Sequence, residues 1–62
     1  MPRIRVEWFN TRSQEQRQEL ARRITEAVVE VAEVSPERVT IRFDEIEPTL
    51  FAHGGVLGHR KS

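Results

Sequence analysis

The sequence predicts an α/β fold: a single βαβ unit with parallel strands and a short C-terminal hairpin, completed by oligomerisation. Three observations lead there. Two stretches alternate apolar and polar residues, and a long amphipathic stretch lies between them. The chain has 62 residues and 37% apolar content, and a domain of that size buries only about 60% of the surface its unfolded chain exposes.

The first strand runs from Pro2 to Phe9. It carries Pro2, Ile4, Val6 and Trp8 on one face and Arg3, Arg5, Glu7 and Phe9 on the other. This period of two marks a strand buried on one side. Asn10 and Thr11 suit a turn, and Ser13 with Gln16 has the spacing of a capping box, which predicts a helix from about Ser13 to Glu33. Leu20, Ile24, Ala27, Val28 and Val31 fall on one helical stripe. Ser35-Pro36 ends the helix, because the residue before a proline is pushed out of helical geometry.

Val39, Ile41 and Phe43 then alternate with Thr40, Arg42 and Asp44 in a second strand. Strand, helix and strand in this order close as a right-handed crossover with parallel strands. The remaining segment, from Phe51 through His53, Gly54 and Gly55 to His59, suits a turn or short hairpin. Residues 1–62 form one domain, with no internal repeat or linker.

One helix covers one face of such a sheet, whereas parallel sheets are normally covered on both. Small folds find extra support in disulfides, metals or self-association, and the chain has no cysteine. A homo-oligomer is therefore expected on physical grounds alone. Ten basic residues balance ten acidic ones, without the basic excess that nucleic-acid binding draws on. No apolar run approaches the roughly 20 residues of a membrane span, and no signal-peptide core follows Met1. The expectation is a cytoplasmic protein with neither nucleic acid nor membrane as partner.

The chemistry narrows to a few positions. Pro2 follows the initiator methionine, a context in which Met1 is commonly removed to expose a secondary amine. An α-amino group titrates near ~8 in water, and desolvation or nearby cations favour its neutral form, which makes it a base useful at neutral pH. Taken alone, a proline here is more often inert. Arg12 precedes the helix cap, where its charge opposes the positive end of the helix dipole; it is either a solvated loop residue or, with the helix-end amides, an anion site. Arg42 lies on the polar face of the second strand, and an intersubunit ion pair is its simplest role. Phe51 is at minimum an apolar filler. His53 and His59 are too isolated for a metal site, and Gly54-Gly55 lacks the helix that a phosphate loop requires.

Pro2 after the initiator, the segment Arg12-Ser13-Gln14-Glu15-Gln16, the strand end Asp44-Glu45-Ile46, and Phe51 shortly before Gly54-Gly55 together resemble the 4-oxalocrotonate tautomerases over nearly the whole chain. The resemblance implies a hexamer, a trimer of dimers, with active sites at subunit boundaries and no cofactor. It implies that Pro2, after Met1 removal, takes a proton from the enol or dienol form of a 2-oxo acid, such as 2-hydroxymuconate or phenylenolpyruvate, and returns it to carbon. Arg12 would hold a substrate carboxylate, and Phe51 and Phe9 would form apolar walls. The family's second arginine position is occupied here by Thr40, and a common glycine position by Thr11. Either Arg42 or Arg38 is then expected to supply substrate-binding charge near Thr40. Alternative readings are a related dehalogenase or decarboxylase of small unsaturated acids, and a non-catalytic oligomeric binding module.

Overall fold

The structure, a computed structural model, describes residues 1–59. Strand β1 (Arg3–Phe9) leads into helix α1 (Gln14–Ala32) and then strand β2 (Thr40–Ile46). β1 and β2 pair in parallel, with Arg3 opposite Thr40, Arg5 opposite Arg42 and Phe9 opposite Ile46. The predicted alternation is realised in β1, whose residues are exposed and half-buried in turn. Trp8 and Phe43 stack with ring centroids 5.3 Å apart.

The helix starts as the sequence predicts. The Gln16 N–H donates to Ser13 Oγ at 3.1 Å, and the Ser13 N–H donates to Gln16 Oε1 at 2.8 Å. At its other end Glu33 adopts the left-handed conformation, with φ of 56°, and its N–H donates to the Val29 carbonyl. Glycine usually takes such a position, because other side chains crowd the backbone there. On the helix, Leu20, Ile24 and Val28 are half-buried as expected, but Ala27 is exposed and Val31 is 83% exposed. A helix of 19 residues spans about 28 Å, longer than the roughly 23 Å of a seven-residue strand. Val31, the next-to-last residue of the helix, shares the stripe's direction yet stays exposed.

Pro36–Arg38 form a 3₁₀ turn in which the Arg38 N–H donates to the Ser35 carbonyl at 3.0 Å. Arg38 therefore lies outside β2, and the strand alternation that would align it with Thr40 does not reach it. β2 also continues past Phe43 to Ile46, where the Asn10 N–H donates to the Ile46 carbonyl at 3.1 Å and fastens the far end of the pair.

A second 3₁₀ turn, Pro48–Leu50, leads to the hairpin of β3 (Ala52–His53) and β4 (Val56–Leu57). Gly54 and Gly55 have φ of 59° and 83°, the pair of positive values that a tight two-residue hairpin turn demands. Gly58 is needed for a different reason: a Cβ there would lie 2.5 Å from the Pro48 carbonyl oxygen. This close approach folds the hairpin back onto the turn.

No described residue is fully buried. The radius of gyration is 14.7 Å, against about 11 Å for a compact chain of this length. Among the described residues, no helix is long and apolar enough to cross a membrane.

Candidate active site

Pro2 stands half-buried just ahead of β1. Its carbonyl accepts a hydrogen bond from the Thr40 N–H at 3.1 Å and another from Thr40 Oγ1 at 3.5 Å. The first residue of β2 thus pins the start of the chain. Beside them lies a groove of about 580 Å³, lined by Met1, Arg3, Arg5, Thr40 and Arg42, with Ile4 and Ile41 between them. Met1 is 79% exposed.

The three arginines of this groove differ in their commitments. Arg5 and Arg42 both donate through Nε to Asp44, one to each carboxylate oxygen, and the Arg42 bond is 3.0 Å long. Arg5 also faces Glu7 at 3.6 Å. The hydrogen bond from Arg5, with the charge of Arg42 behind it, holds the Asp44 carboxyl below the usual carboxylate range; the same bond raises Arg5 in turn. The simplest expectation for Arg42 was an ion pair between subunits, and the structure gives it one within the chain. Arg3 has no hydrogen bond or ion pair among the described residues.

Arg12, Phe9 and Phe51 gather at the opposite end of β1. The Arg12 guanidinium lies over the Trp8 ring, 5.8 Å from its centroid, a cation–π arrangement. Arg17 Nη1 donates to the Arg12 carbonyl at 3.2 Å and to Glu45 Oε2 at 2.6 Å, and Glu45 Oε2 also accepts from Trp8 Nε1 at 3.1 Å. This network fixes the backbone and the aromatic platform beneath Arg12 while leaving its guanidinium without an acidic partner among the described residues. Phe9 and Phe51 meet edge to face with centroids 5.5 Å apart, and both line a depression of about 280 Å³ with Trp8 and Ile46.

The predicted site residues thus fall into two groups, one around Pro2 and Arg42 and the other around Arg12, Phe9 and Phe51. Pro2 stands just ahead of the seven residues of β1 and Phe9 ends them, a span of about 23 Å; Arg42, opposite Arg5, lies part-way along it. A small molecule held at Pro2 does not reach the Trp8 ring, over which the Arg12 guanidinium of the same chain lies. His53 and His59 belong to neither, and the described residues contain no cluster of three or more potential metal-ligating side chains.

A family model described as tautomerase enzyme matches residues 2–60. The chain belongs to the tautomerase family. A probable tautomerase of Halalkalibacterium halodurans is 37% identical over 62 residues, an alignment spanning 100% of this chain and 97% of that one. Among solved structures, a 4-oxalocrotonate tautomerase homologue superposes with a TM-score of 0.88 at 32% identity, covering 92% of this chain and 90% of the other. A heterohexameric 4-oxalocrotonate tautomerase from Chloroflexus aurantiacus gives a TM-score of 0.82 at 32% identity and covers 92% of each chain. These likenesses bear out the resemblance read from the sequence, and with it the βαβ fold with its C-terminal hairpin. This tautomerase is an enzyme of the isomerase class.

Sequence reasoning had not singled out Trp8, Arg17 and Glu45 as the support for Arg12, nor Asp44 as the shared partner of Arg5 and Arg42. Arg17 and Glu45 lie 28 positions apart and Arg5 and Asp44 lie 39 apart. Only the strand register brings them together. Arg3 did carry a legible signal, since it adjoins Pro2 and begins the polar face of β1.

Proposed function

We propose that this tautomerase ketonises enol or dienol forms of 2-oxo acids, using the amine of Pro2, freed by removal of Met1, first as base and then as acid. The observation that carries the reading is the position of Met1, which lines the groove beside Pro2. The nitrogen bonded to Met1 opens onto the same groove once that residue is gone. Cations around it disfavour protonation of the amine, and a neutral amine accepts the 2-hydroxyl proton of the enol. The carbonyl forms as electrons shift along the conjugated chain, and the ammonium returns the proton to carbon. The amine is regenerated without a cofactor.

The second substrate contact comes from another copy. Arg12, with no acidic partner among the described residues, is suited to clamp a carboxylate through two parallel hydrogen bonds. Phe9 and Phe51 wall the space beside it, and Arg42 lines the groove at the Pro2 end. Because these groups lie at opposite ends of β1, the site is composite: the Pro2 end of one chain meets the Arg12 end of its neighbour. Such an assembly also answers the lack of any buried residue among those described and the exposure of Val31, Leu50, Val56 and Leu57. A hexamer built as a trimer of dimers fits this requirement.

The test pairs mass spectrometry of the N-terminus with ketonisation kinetics of phenylenolpyruvate. Protein beginning at Pro2 is active, with a rate that rises as the amine loses its proton, and protein acetylated at Pro2 is inactive. Full activity in the acetylated form would sink the proposal.

A further inference from the structure

A base that converts an enol to a ketone works on a substrate whose oxygens carry growing negative charge, and a preorganised cation beside them is the usual stabiliser. Thr40, the β2 residue bonded to Pro2, has a hydroxyl but no charge. The groove offers three arginines, and the ion pairs separate them. Arg5 and Arg42 share Asp44, and Arg5 also faces Glu7. Those two cations and two anions sum to zero. Arg3 remains as the net positive charge of the groove among the described residues.

Its placement is as favourable as its charge. Arg3 is the register partner of Thr40, so its Cα lies about 4.8 Å across the sheet from that of Thr40, and the two side chains leave the same face. Arg42 is displaced by two residues along β2, about 6.6 Å, and is already held by Asp44. The Pro2 carbonyl bonds to Thr40 fix the backbone between the amine and Arg3.

Given the reading of Pro2 as the base, we infer that Arg3 binds the 2-oxo-acid end of the substrate beside Pro2 and offsets the enolate charge, standing in from β1 for the cation that Thr40 lacks on β2. Asp44 and Glu7 together keep Arg5 and Arg42 neutralised, so among the described residues this end of the site carries one unopposed cation and accepts one anionic head.

The experiment is steady-state kinetics on phenylenolpyruvate, with the N-terminus of every variant verified by mass spectrometry and its assembly by light scattering. Arg3→Ala should lower kcat about a hundredfold, a larger effect than on KM, and Arg3→Lys should recover part of that loss by restoring the charge. Thr40→Arg placed in the Arg3→Ala chain should restore kcat to within about threefold of the parent, because it returns a guanidinium to the neighbouring strand position. A merely structural role for Arg3 would give no such rescue. If Arg3→Ala stays within about twofold of the parent, or if Arg42→Ala costs more than Arg3→Ala, the assignment of Arg3 is overturned while Pro2 can still be the base. The reading of Pro2 fails on a separate result, persistence of activity after its acetylation.

Discussion

Subunit mixing tests the composite site directly. Two impaired chains are prepared: one extended at its N-terminus, so that the Pro2 nitrogen is an amide, and one carrying Arg12→Ala. Loss of a charged hydrogen-bonding partner typically costs about 1.5–3 kcal/mol, which is roughly a ten- to hundredfold loss in kcat/KM. The seven residues of β1 hold Pro2 and Arg12 of one chain about 23 Å apart, beyond the reach of any small 2-oxo acid. If each site takes Pro2 from one copy and Arg12 from another, equal parts of the two chains, unfolded together and refolded, give about a quarter of the sites with both groups intact. The mixture should then show about a quarter of the parent activity on 2-hydroxymuconate, well above either chain alone. Native mass spectrometry establishes that the subunits have exchanged. Fully exchanged mixtures that stay at the level of the separate variants would refute the composite site, because complementation has no other obstacle.

Three further outcomes follow from local structure. Ser13→Ala removes the side-chain half of the capping box and should lower stability by about 1 kcal/mol, read from the shift of a urea midpoint, with little change in activity at saturating substrate. Gly58→Ala drives a Cβ to 2.5 Å from the Pro48 carbonyl oxygen and should cost about 1–3 kcal/mol through the shift it forces; faster amide exchange at Val56 and Leu57 would report the loosened hairpin, and unchanged exchange would contradict the packing argument. Asp44 has its carboxyl held below its ordinary value, first by the hydrogen bond from Arg5 and then by Arg42. A depressed acid contributes stability above its unfolded value of about 4 and loses that contribution as pH falls through the lower folded value. Denaturation midpoints of the parent and Asp44→Asn should therefore differ at neutral pH and converge in acid, and a constant difference down to full protonation would show that the pair does not stabilise the fold.

Much of the fold is written in periodicity, and its errors come where periodicity stops carrying information. Alternation from Pro2 to Phe9 reveals which side chains share a face, and Ser13 with Gln16 reveals where the helix begins, because each is a short-range requirement. Val31 shows the boundary of that method. A helical stripe gives direction alone, and whether Val31 is covered depends on how far the sheet extends beneath it. Arg38 shows another boundary, since the 3₁₀ turn at Pro36–Arg38 delays the strand until Thr40 and takes Arg38 out of alignment. The pairing of Arg5 with Asp44 required a register that no local pattern specifies.

The site is subject to the same division between local and long-range information. Pro2, Arg12 and Phe51 stand out by residue type and order, yet nothing in their spacing says that they act in different subunits. Strand length is what supports the proposed composite site: seven residues of extended chain hold Pro2 and the Arg12 end of one copy about 23 Å apart. The same extension leaves the isolated chain without a fully buried residue among those described, so the contacts that would cover its apolar surface are also those that would bring Pro2 to Arg12. Folding stability and catalysis then depend on one association, and dilution below the assembly threshold should remove both together.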